Sequence, residues 1–95
     1  MPRIFESNGY LIYFWSNEEQ YNGKLEPLHV HISKKPTQNA TKYWITSFGA
    51  AINANGNPSR IPDRVLKDIL KQIEINSTLI AEKWVNHFGE IDFIS

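Results

Sequence analysis

Hydrophobic and polar positions follow strand-like patterns up to about residue 60 and a helical period beyond it. Tyr10 to Trp15 (YLIYFW) is aromatic and β-branched and apolar on both sides, which predicts a central, covered strand. Ile4 to Glu6 predicts a short first strand, turned into the next by Ser7-Asn8-Gly9. Residues 16–27 (SNEEQYNGKLEP) are polar, with Asn22-Gly23 as a turn signal, and Leu28 to Ser33 returns as a strand, so the two flanking strands should form a long-looped hairpin. Lys42 to Thr46 (KYWIT) is the third principal strand, and Phe48 to Ile52 a short strand or turn before the loop run NANGNPS.

From Pro62 to Phe88 the period becomes helical, with Pro62 suited to the first turn and Gly89 to a carboxy-terminal cap. One long helix is predicted over about 62–88. Its apolar side carries Leu66, Ile69, Ile73, Asn76, Ile80, Trp84 and His87, flanked by Val65, Leu70 and Phe88. Asn76 breaks that face, and a buried amide there should be hydrogen-bonded, holding a loop or strand end against the helix. Arg60, Arg64, Lys67 and Lys71 form a basic stripe opposite, diluted by Asp63, Asp68 and Glu74, which reads first as a solvated face and second as a phosphate groove. The tail Ile91 to Ile94 alternates and adds a possible edge strand. The whole is an α+β domain spanning 1–95: strands over about 3–52 in a small antiparallel sheet of three to four, the helix across one face, and a short tail over 89–95.

Composition narrows what such a domain does. Lys plus Arg equals Asp plus Glu at 10 each, so no global field draws the chain to a polyanion, and any such site is local. The chain has no cysteine, which excludes disulfides, thiolate metal sites and thiol catalysis. The first residues lack the apolar core of a signal peptide, and no run approaches the ~20 apolar residues of a membrane span, so a soluble cytoplasmic protein is expected.

The chemistry concentrates in EPLHVHIS, residues 26–33. Alternation puts His29 and His31 on one side of their strand and Val30 and Ile32 on the other. The helix should cover Val30 and Ile32, leaving the histidines on the more open face, where changing both to Gln would alter stability by no more than about 1 kcal/mol. Two histidine nitrogens with Cα atoms roughly 7 Å apart make a start for a divalent metal site. Glu26 is the expected carboxylate beside them, with Glu18 or His87 as other third ligands. In a purely structural role the histidines would hydrogen-bond to Asn17 or Glu18. In a metal-free RNA-cleaving site His29 and His31 are acid and base with Glu18 and Lys42 in support. Asn17, Lys34 and Lys35 would then hold substrate, and Trp44 would stack an unpaired base. Three established histidine motifs fail on particular residues. A cupin needs a glutamate where Lys35 and Pro36 stand, a histidine-triad hydrolase needs a third histidine where Ser33 stands, and a paired-motif phosphoesterase needs a second His-x-Ser/Thr, which His87 lacks.

Landmarks along the chain carry a resemblance. They are Gly9-Tyr10, Phe14 to Glu18 (FWSNE), Glu26-Pro27, His29 to Ile32 (HVHI), Lys42 to Ile45 (KYWI), Asn55-Gly56, and Asn76, Trp84 and Phe88-Gly89 on the helix. Together they resemble the small bacterial proteins of domain of unknown function 4160, over nearly the whole length. Leu28 departs from that pattern where a second proline is common, and the connection NEEQYNGKLEP is longer than usual. The resemblance implies one half of a two-gene module of the toxin–antitoxin kind, acting on a small protein partner encoded nearby. RNA cleavage and divalent-metal binding are the alternatives, with no other cofactor and no membrane expected.

Overall fold

In a computed structural model of the chain, which describes residues 2–18 and 23–94, five strands precede two helices. The strands are β1 (Arg3–Ser7), β2 (Tyr10–Tyr13), β3 (His29–Ser33), β4 (Thr41–Ile45) and β5 (Ala51–Asn53). They form one antiparallel sheet in the order β1-β2-β3-β4-β5, so each strand pairs with its neighbour in sequence. Local turns build such a meander, with Gly9 at φ +80° in the first hairpin. Asn22, expected in the turn of the long loop, lies outside the described residues.

The strand count exceeds the three to four expected, because β1, with an irregularity between Arg3 and Phe5, and the three-residue β5 both join the sheet. Beyond β5 the side chain of Asn55 continues the pairing of β4: its Oδ1 accepts from the Lys42 N–H at 2.8 Å and its Nδ2 donates to the Ala40 carbonyl at 2.9 Å. Asn57 and Ser59 bind the same end of the sheet, through the Thr41 hydroxyl and the Ile32 carbonyl.

The single long helix of the periodic pattern is instead α1 (Asp63–Ile75) and α2 (Ser77–Phe88), interrupted at Asn76, whose φ and ψ are −100° and 18°. Among the described residues Asn76 holds no loop or strand end. Its side-chain Nδ2 donates back to the Gln72 carbonyl at 2.8 Å, competing with the backbone for that acceptor. Gly89, at φ 79°, caps α2 in the left-handed region.

Both helices pack on the sheet face that carries Val30 and Ile32. Ile69, Ile73, Ile80 and Trp84 close there on Ile12, Phe14, Leu28, Val30, Ile32 and Ile45, forming the main core. The tail forms no strand, although the Leu28 N–H donates to the Asp92 carbonyl at 2.8 Å and keeps it alongside β3. On the other face Leu11, Tyr13 and Ala40, with Trp15 against them, make a second, smaller apolar cluster. The histidines therefore do not stand on an open face: all five residues of β3 are buried. Among the described residues no helix is long and apolar enough to cross a membrane.

Candidate functional site

Glu18 lies on the loop after β2, and three backbone contacts set its position. The Trp15 N–H donates to Glu18 Oε1 at 2.6 Å, the Glu26 N–H donates to the Glu18 carbonyl at 3.2 Å, and His87 Nε2 donates to the Ser16 carbonyl at 3.0 Å. The loop is thereby tied at both ends, and its carboxylate reaches over β3.

There it meets both histidines. Glu18 Oε2 lies 3.1 Å from His29 Nε2, and Oε1 lies 3.1 Å from His31 Nε2. The side chains retain 6%, 0% and 10% of their surface in the order Glu18, His29, His31, so the charge of the carboxylate is almost fully withdrawn from water. Burial alone would push the Glu18 carboxyl up. The close approach of His29 and His31, with the Trp15 N–H, outweighs it and holds the group well below the usual carboxylate range.

The two histidines are not equivalent. His29 Nδ1 lies 2.9 Å from the Pro27 carbonyl, an acceptor only, so that nitrogen carries a proton. A neutral His29 then turns a lone pair at Nε2 toward a carboxylate oxygen, a repulsive arrangement. Although Nε2 is within 3.1 Å of Oε2, it lies off the line a hydrogen bond needs and has no hydrogen-bond partner among the described residues. Something positive is wanted between them, either a second proton or a metal ion. His31 donates from Nε2 to Glu18 Oε1, while its buried Nδ1 has no partner among the described residues.

Aromatic rings enclose the cluster. His29 meets Trp84 at 5.2 Å and Trp44 at 5.6 Å between ring centroids, and Tyr13 and Trp15 stand beside His31 at 5.6 and 6.3 Å. Tyr13 uses its hydroxyl elsewhere, sharing a 2.7 Å hydrogen bond with Ser33. These rings fix the imidazoles and lower the local polarity.

The residues expected at the site divide between several places. Glu26, the carboxylate expected beside the histidines, instead pairs with Lys42 at 2.8 Å, and Glu18 occupies its place. Lys42 also lies over the Trp44 ring, 4.3 Å from its centroid. Both flank the cluster, since His31 pairs with Lys42 and His29 with Trp44 across β3 and β4. Asn17, Lys34 and Lys35 are exposed, with Lys34 placed 5.5 Å over the Tyr10 ring. The basic stripe along and just ahead of α1 is exposed too, and two of its three acids are engaged: Asp68 accepts from Asn8, and Glu74 from the Ala51 N–H. The Pro27 carbonyl is the contact of the cluster that sequence reasoning missed, because a backbone carbonyl leaves no signature in a pattern of side chains.

Glu18, His29 and His31 are also a group of three whose ligand atoms all lie within 4.8 Å of one another. Each histidine nitrogen lies 3.1 Å from its own oxygen of the carboxylate, and two imidazoles with one carboxylate are a donor set that suits a divalent metal. The sequence model of a family described as Domain of unknown function (DUF4160) matches residues 9–85, a stretch that includes every residue of the cluster. No curated protein and no solved structure matches the chain.

Proposed function

Because the chain belongs to the DUF4160 family, whose description leaves the chemistry to be read from the residues, we propose that it is a divalent-metal-binding module with Glu18, His29 and His31 as ligands. One observation carries this reading: the buried Nε2 of His29 faces a carboxylate oxygen at 3.1 Å while Nδ1 is anchored on the Pro27 carbonyl. A metal-bound histidine commonly donates its other N–H to a carbonyl, which fixes its tautomer and aims its lone pair. Two imidazoles and a carboxylate suit zinc, manganese, iron(II) or nickel. An ion there also offsets the buried negative charge of Glu18. The test is elemental analysis of untagged protein together with titration of the stripped protein with Zn²⁺. One equivalent per chain is expected, lost in Glu18→Ala and His29→Ala. A stripped protein that takes up no zinc, manganese, iron(II) or nickel at micromolar concentration overturns the reading.

A second reading keeps the chain as a cytoplasmic bacterial component of a toxin–antitoxin-like pair that binds a small protein partner. Phe48, 94% exposed in the turn before β5, and Ile75, 69% exposed at the end of α1, favour it. Gly49 backs onto Ser77, which brings the two apolar side chains to one end of the fold. Phe48→Asp with Ile75→Asp should abolish co-purification with the product of the adjacent gene, and undiminished capture would sink this reading. RNA cleavage through the histidine pair draws less support, since a scissile phosphate must touch both imidazoles and His29 retains no accessible surface.

A further inference from the structure

We infer that the metal-loaded site takes a small monoanion, a carboxylate or an inorganic anion of similar size, held between the ion and the Lys42 ammonium. The inference rests on the metal-binding reading and adds a ligand to it.

Charge balance comes first. A dication held by the Glu18 carboxylate and two neutral imidazoles leaves one positive charge in excess. Glu26 and Lys42 beside it cancel each other across 2.8 Å. That excess lies among side chains that are 10% exposed or less, where an uncompensated charge is costly. Three protein ligands also leave at least one coordination position of the ion open. A single negative charge on a small ligand satisfies both demands.

Position comes second. His31 and Lys42 are direct partners across β3 and β4, and His29 and Trp44 are the next such pair on the same face. Lys42 is therefore aligned beside one ligand and Trp44 beside the other. The ammonium is pinned by Glu26 Oε1 and by the Trp44 ring 4.3 Å away, and the Lys42 side chain keeps 18% of its surface. Its counter-ion Glu26 is itself tied to the Glu18 backbone through the 3.2 Å N–H bond, so ammonium, carboxylate and metal ligand form one connected group. Lys42 and Trp44 are half-buried while His29 is fully closed, which makes their side the approach to the cluster.

The test uses the full untagged chain, stripped of metal and reloaded with Co²⁺, whose visible spectrum reports its ligands. Cobalt affinity is read first, and acetate and azide are then titrated in separate experiments. Wild type should give a saturable spectral change with either anion. Lys42→Gln should weaken the anion roughly tenfold or more, as loss of a neighbouring positive charge in a poorly solvated site requires. Lys42→Arg should retain most of the response, and Glu26→Gln should strengthen it by freeing the ammonium. Cobalt bound with no response to either anion overturns the anion site and leaves the metal reading standing. An equal response in Lys42→Gln overturns it as well. A response confined to Glu26→Gln would make Glu26 the internal anion and exclude the external one. Failure to bind cobalt at all removes both readings.

Discussion

Glu18 and His31 are thirteen positions apart in the chain and 3.1 Å apart in space, both closed to solvent. A loop carboxylate has been brought down onto a strand and fixed by backbone groups at Trp15 and Glu26, so the cluster is assembled by the fold of the β2–β3 connection and not by the strand alone. The stability of that connection and the contacts of the histidines are thus one problem.

Metal should stabilise the folded chain. A ligand present at about 100 times its dissociation constant adds roughly 2.7 kcal/mol to unfolding. Thermal melts with zinc and with a chelator should therefore separate by several degrees for wild type and for Glu26→Ala, and coincide for Glu18→Ala. A Glu26→Ala protein that loses the zinc effect while Glu18→Ala keeps it would restore Glu26 as the ligand.

His29 should matter to folding in the metal-free protein. It is fully buried, packed edge-on against Trp84 and bonded through Nδ1 to the Pro27 carbonyl, so His29→Gln removes that ring packing and that donor and should cost ~1–3 kcal/mol. This exceeds the near-neutral effect expected of an exposed pair. Trp84→Ala, which empties the centre of the main core, should cost ~3–5 kcal/mol. Urea denaturation ranks the two, and a His29→Gln midpoint equal to that of wild type would refute the burial argument.

Acid should remove the contribution of Glu18. Its folded carboxyl is held below the ordinary value of 4.5, so the stability it provides is complete above that value and is lost as the pH falls through it toward the folded value. Comparing metal-free wild type with Glu18→Gln, the gap in unfolding free energy should shrink steadily as the pH falls below about 4.5. A gap that widens on acidification would mean the opposite sign of shift.

Gly49 should resist substitution. Its φ is +85°, and an added Cβ would stand 2.7 Å from Ser77 Oγ. Gly49→Ala should destabilise by ~1–2 kcal/mol from the backbone alone, with the clash in addition. Placing it on a Ser77→Ala background should recover the clash and not the backbone term, a difference that a double-mutant cycle resolves.

The three central strands were legible because YLIYFW, LHVHIS and KYWIT combine β-branched and aromatic residues with turn signals on either side. β5 was legible only as a short strand or turn over Phe48 to Ile52, since Ala51–Asn53 is too short for any period to register and exists through its pairing with β4. The helix face was read correctly at Ile69, Ile73, Ile80 and Trp84, all of them buried. Its continuity was misread because Asn76 fits the period, and only its local hydrogen bond to Gln72 reveals a break. His87, placed on the same face by the period, is exposed and serves the loop through the Ser16 carbonyl. At the site, alternation correctly paired the two histidines. It said nothing of what covers their side, because the cover comes from Trp15, Glu18 and Tyr13, and their position depends on how a polar connection folds back.

The Asn55 side chain has a consequence for how the molecules behave in company. β5 is three residues long, and without further cover the Ala40 carbonyl and the Lys42 N–H would remain as an open template at the rim of the sheet. Unsatisfied rims of that kind recruit strands from neighbouring molecules and seed aggregation. By engaging both groups with a single amide, Asn55 ends the sheet chemically where the strand itself is too short to do so.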